Sequence, residues 1–159
     1  SNIGDWYYEQ IELGFNYRMN DLQAALGISQ MDRLDEFVVK RNKIKDRYDI
    51  LLKTLPVFKT HTNIDCYSAS HLYTIQLDLK NILKSHSQVF SELRLNDVGV
   101  NLHYIPVHLH PYYEKRGFKM GDFPNSEQYY NRAITLPMFF SLGDKRQNRI
   151  VNTLKGILK

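Results

Sequence analysis

The stretch Leu13-Gly14-Phe15-Asn16-Tyr17-Arg18-Met19-Asn20-Asp21-Leu22-Gln23-Ala24-Ala25-Leu26-Gly27 governs how the rest of the chain is read. It describes a loop running into a helix. Asn20 and Gln23 stand at capping-box spacing, so the Asn20 side chain can accept from the third helical N–H while Gln23 reaches back. Just before the cap lie an amide (Asn16), a phenol (Tyr17) and a guanidinium (Arg18). Such groups can bind a phosphate or a sugar, and they can equally serve only to fix the approach to the helix. Arg18, for instance, has Asp21 and Glu12 within reach as ion-pair partners.

Working outward, the cap predicts one long helix from Asn20 to Leu55, stopped by Pro56. Ile44, Tyr48, Leu51 and Leu55 form its inner stripe, while Arg41, Lys43, Lys45 and Arg47 read as a solvated flank. Residues 56–70 are polar and irregular. Tyr73, Ile75, Leu77 and Leu79 then alternate with Thr74, Gln76 and Asp78, the pattern of a half-buried strand. Ser85 and Gln88 repeat the capping box ahead of Val89, Phe90 and Leu93. Val100–Tyr104 reads as a short strand, and residues 105–125 as a long loop punctuated by proline and glycine. Asn125 with Gln128 and Asp144 with Gln147 read as caps of two further helices. Ala133–Leu136 is a strand between them, and Ile150, Val151, Leu154 and Leu158 line the last helix. The expected class is α+β: a long N-terminal helix plus a small sheet covered by helices. Residues 1–55 are expected to form an interface loop and helix, and residues 56–159 a small α+β domain.

Composition narrows the function. Twenty-one basic and 17 acidic residues leave a charge of +4. That suits an anionic small molecule, and the basic residues are scattered rather than striped as nucleic-acid binding requires. Eleven tyrosines among 13% aromatics suit an interface. No apolar run approaches the ~20 residues of a membrane span, and no signal peptide is visible, so a cytoplasmic location is expected. The lone cysteine, Cys66, reads as structural. His103, His108 and His110 raise a zinc site as a rival reading, but their spacing matches no specific ligand motif, and no metal is expected.

Several separated motifs resemble the DegT/DnrJ family of sugar aminotransferases. They are the Leu13–Gly27 run, Ser29-Gln30-Met31-Asp32-Arg33-Leu34, the Arg41 to Tyr48 spacing and His71-Leu72-Tyr73. Gly99-Val100-Asn101-Leu102-His103-Tyr104-Ile105-Pro106-Val107-His108, Phe123-Pro124-Asn125-Ser126-Glu127 and Ile134-Thr135-Leu136-Pro137 follow in order. Trp6-Tyr7-Tyr8-Glu9-Gln10 and the HYxPxH run point to the pseudaminic acid branch. The resemblance implies the C-terminal small domain of a fold-type I enzyme dependent on pyridoxal 5'-phosphate (PLP). It implies a homodimer with shared sites that aminates a nucleotide-linked keto sugar, with C4 of a UDP-4-keto-6-deoxy-N-acetylhexosamine and a glutamate donor as the expected pair. Asn16 would bond the cofactor phosphate across the dimer interface; Tyr17, Arg18, His103, Tyr104 and His108 would face substrate. The family's PLP-bearing lysine lies in a Ser-x-x-Lys segment that does not occur here, so no catalytic residue is assigned, and the chain alone is expected to be inactive as part of a longer enzyme. A dimerisation or ligand-binding module without chemistry of its own is the alternative.

Overall fold

The computed structural model describes residues 12–15, 17–63 and 65–159. Contacts divide the chain into two units, residues 1–34 and 35–159. In the first, helix α1 (Asp21–Met31) starts where its cap predicts. The Asn20 side chain accepts from the Gln23 N–H at 2.9 Å, and Gln23 Oε1 accepts from the Asn20 N–H at 3.1 Å. No residue of α1 is buried. The helix is not continuous to residue 55. It turns over Asp32 and Arg33, where the Arg33 N–H bonds the Gln30 carbonyl. Bonding to the third preceding residue tightens a last helical turn, and aspartate favours such termini over helix interiors.

Helix α2 (Leu34–Leu51) follows. Ile44 and Tyr48 are its buried positions, and Leu52, just past its end, continues the four-residue step; Leu51 and Leu55 are half-buried beside them. Because α2 supplies this much core, the division falls after Leu34 and not after residue 55. The expected solvated flank is busier than its charge suggests. Arg41 donates to the His71 carbonyl at 2.9 Å, and Arg47 donates to Gln147 Oε1 at 3.1 Å and Asn148 Oδ1 at 2.8 Å. Lys45 pairs with Asp49 at 2.8 Å.

The sheet is antiparallel in the order β1 (Val57–Lys59), β2 (Tyr73–Leu77), β3 (Ala133–Leu136). The register sets Tyr73 opposite Leu136 and Ile75 opposite Ile134. Directly opposed residues share a face, so these four side chains and Leu77 form one apolar surface. Against it lie α2, α3 (His86–Leu95) through Val89 and Leu93, and α6 (Asp144–Ile157) through Ile150, Val151, Leu154 and Ile157. Thr74 and Thr135 oppose each other on the other face, their hydroxyls 3.0 Å apart.

Four local expectations change. Strand β1 lies inside the stretch read as irregular. The strand expected at Val100–Tyr104 is a single bridge, Asn101 to Thr135, because Pro106 cannot donate to a ladder and the chain leaves the edge. Within residues 105–125 sit a 3-10 turn (Val107–Leu109) and a short helix α4 (Pro111–Glu114). Helix α5 (Pro124–Tyr130) begins at Pro124 with Phe123 in the cap position, and α6 begins after Gly143; neither has a side-chain cap. Proline at the first helical position loses no bond, which explains the start of α5 without Asn125.

Tyr48 is fully buried and donates its hydroxyl to the Pro137 carbonyl at 3.0 Å. Tyr73 donates to Asp49 Oδ1 at 2.7 Å. Burial pushes both phenols well above the ordinary tyrosine value, and the Asp49 carboxylate raises Tyr73 further. Cys66, read as structural, is an exposed free thiol.

Candidate functional site

The segment His103–His108 leaves the sheet edge at the Asn101 bridge and is held at both ends. At one end His103 Nδ1 lies 2.9 Å from the Thr135 hydroxyl, on the polar face of the sheet. At the other, the ring of His108 is buried and its Nε2 lies 2.8 Å from Glu127 Oε1. Pro106 is buried between them, while Tyr104 remains 71% exposed, its ring edge-on to His103 at 4.6 Å. A phenol displayed from a rigid edge is a suitable donor or acceptor for a sugar hydroxyl or a phosphate oxygen.

Glu127 does more than pair with His108. Its carboxylate also accepts from the Gly121 N–H, at 2.8 and 3.0 Å to its two oxygens, and from the Phe123 N–H at 3.3 Å. Gly121 has a φ of +97°, which glycine adopts without the Cβ clash other residues meet. Burial alone would raise the Glu127 carboxyl; His108 and the two backbone donors outweigh it and set the net direction downward. Val107, Tyr113, Phe118 and Phe123 surround an apolar hollow beside His108.

The three histidines of the zinc reading do not converge. His103 and His108 are committed to Thr135 and Glu127, and His110 is exposed. Among the described residues, no group of three or more His, Cys, Asp or Glu side chains could hold a metal.

In the first unit, Tyr17 and Arg18 are exposed and, with Met19 and Gln23, line a shallow cavity before α1. Asn16 lies outside the described residues. Thr135 and Glu127, which fix the two histidines, were not singled out for a role by sequence reasoning. Both stand inside motifs quoted above, but 32 and 19 residues from their partners, where no local spacing reveals a pair.

Comparison with known proteins turns this arrangement into an assignment. The profile of the DegT/DnrJ/EryC1/StrS aminotransferase family matches residues 2–155. The chain belongs to that family. It is 38% identical to the spore coat polysaccharide biosynthesis protein SpsC of Bacillus subtilis, over 100% of this chain and 42% of the relative. It is 31% identical to the UDP-4-amino-4,6-dideoxy-N-acetyl-beta-L-altrosamine transaminase of Campylobacter jejuni, over 97% of this chain and 41% of that protein. A Streptococcus pneumoniae protein assigned as a sugar aminotransferase, in its PMP form, superposes with a TM-score of 0.84 at 28% identity, over 98% of this chain and 39% of its own. The chain thus spans about two fifths of the length of the relatives it matches, and its fold is the small α+β domain of these enzymes. Among the described residues, no helix is long and apolar enough to cross a membrane.

Proposed function

We propose that this chain forms the C-terminal part of a PLP-dependent aminotransferase acting on a nucleotide-linked keto sugar, with C4 of a UDP-4-keto-6-deoxy-N-acetylhexosamine as acceptor, glutamate as donor, and surface polysaccharide or nonulosonic acid as the destination. The observation that carries this reading is the display of Tyr104 beside a fixed His103, in a chain of this family. Family membership and a relative that is a UDP-amino-sugar transaminase support the substrate class.

The Tyr17 phenol and the Arg18 guanidinium, both exposed at one cavity, are donors suited to the phosphates of a sugar nucleotide. Asn16 is proposed to donate to the phosphate of PLP across a homodimer interface. When bound, PLP supplies the electron-withdrawing ring that carries an amino group between two substrates. Tyr17 and Arg18 would face the sugar nucleotide. His103 and Tyr104 would orient the sugar nucleotide by hydrogen bonds. His108, buried against Glu127, is better suited to fixing the segment than to touching substrate. A cytoplasmic enzyme fits substrates made from nucleotide sugars.

The test is direct. The full-length gene product, given PLP, glutamate and the UDP-4-keto sugar, should yield the amino sugar by mass spectrometry. Absence of product together with failure to retain PLP would refute the reading. The 159-residue chain alone should give no turnover above a protein-free control, because no lysine in it occupies the family's motif. Zinc should be absent from the active full-length protein by elemental analysis, and a chelator should leave its activity intact.

A further inference from the structure

We propose that Glu127 is a positioning residue: together with Thr135 it pins the His103–His108 segment at both ends, so that Tyr104 is held outward in one orientation. This rests on the functional reading above for what Tyr104 faces, and on geometry alone for the pinning.

Glu127 is a buried carboxylate on α5, and three donors from three places converge on it. They are His108 Nε2 from the segment itself, the Gly121 N–H from the loop, and the Phe123 N–H from the approach to α5. Thr135 lies one strand further along and takes the other end through His103. Residues 127–135 therefore form a short, stiff backing, α5 into β3, to which both ends of a six-residue segment are tied. Tyr104 projects between the two ties. Without Glu127, His108 loses its acceptor, and the Gly121 and Phe123 N–H groups lose theirs. The loop then opens locally, while the sheet and the helices packed against its apolar face keep their contacts, because none of them depends on this carboxylate.

Glu127 touches no reacting atom in this reading, so its loss should appear in substrate binding before it appears in turnover. In the full-length protein, Glu127→Ala should accelerate backbone amide exchange across residues 103–123 by roughly tenfold or more, with peptides over β2 and β3 unchanged. The KM for the sugar nucleotide should rise about tenfold, kcat should fall by less than about threefold, and PLP content should stay at the wild-type level. Glu127→Gln keeps the size and one carbonyl acceptor and should lie between the two. It also serves if the alanine variant fails to fold. Unchanged exchange over 103–123 in Glu127→Gln would overturn the proposal. So would faster exchange with an unaltered KM. If the wild-type enzyme shows no turnover, the functional reading fails on its own, and the exchange data still decide whether Glu127 holds the segment.

Discussion

Helices α1 and α6 invert the usual expectation. Helix α1 is richer in apolar side chains, with Leu22, Leu26, Ile28 and Met31, yet each is more than 60% exposed and none is buried. Helix α6 begins Asp-Lys-Arg-Gln-Asn-Arg and still buries Gln147, Ile150, Val151, Leu154 and Ile157. The difference is arrangement. In α6 the apolar residues recur at three- and four-residue steps, so one stripe meets the sheet. In α1 they spread around the axis. Apolar content alone does not decide which helix closes a core; a helix apolar on every side needs cover on every side.

The largest effect that sharpens this contrast is expected from cavity formation. Leu154→Ala should lower the unfolding free energy of the 35–159 unit by about 2–5 kcal/mol, read from denaturant midpoints, whereas Leu26→Ala should change it by less than about 0.5 kcal/mol. Equal losses would break the comparison. Tyr48→Phe comes next: it strands the Pro137 carbonyl beside the core, at a cost of about 1–3 kcal/mol.

Tyr48 and Tyr73 also set an alkaline limit. Folding raises both phenols, so the stability they confer is complete below the unfolded tyrosine value of about 10 and is lost as pH rises beyond it, the unfolded chain ionising first. Unfolding midpoints should fall above pH ~10, and less steeply in Tyr73→Phe. Glu127 works in the opposite sense. Its carboxyl is lowered by folding, so its contribution is present above the ordinary carboxylate range and fades as pH drops through the folded value. Exchange over residues 107–123 should therefore quicken in acid before the sheet does. The smallest effect concerns α1: Asn20→Ala removes one half of the capping box and should cost about 1 kcal/mol of local helix stability. It should be visible as faster exchange at Gln23 and Ala24 with no shift in the midpoint of the other unit.

What could be read from the chain in advance divides by distance. Asn20 with Gln23 and Ser85 with Gln88 are complete within four residues, and both boxes form as read. The alternation from Tyr73 is similarly local, and it gives the central strand. His103 and Tyr104 could be singled out because they end a stretch read as a strand just before Pro106 and fall within a motif of the resembling family. The partners could not. Gln147 stood where a cap reading was natural, but its amide donates to the Ile44 carbonyl at 2.7 Å, a bond across 103 residues. Strand β1 is three residues long, too short to show a period, and exists because β2 offers it an edge. Asp32 breaks the long helix without glycine or proline to announce it. Glu127 lies within a short helix read from Asn125 and Gln128, a signal that says nothing of its partners.

The Gln147–Ile44 bond has a consequence for how the polypeptide is born. Helix α2 and β2 are made before the residues that help cover them: Ile150 follows Leu77 by 73 residues, and the amide that satisfies the Ile44 carbonyl comes 103 residues after it. During synthesis the half-made sheet must wait with Ile75 and Leu77 uncovered, and non-local closure of this kind is slow. The nascent chain is therefore most exposed to wrong association while residues 78–143 are being added, and a translational pause placed there would lengthen the danger.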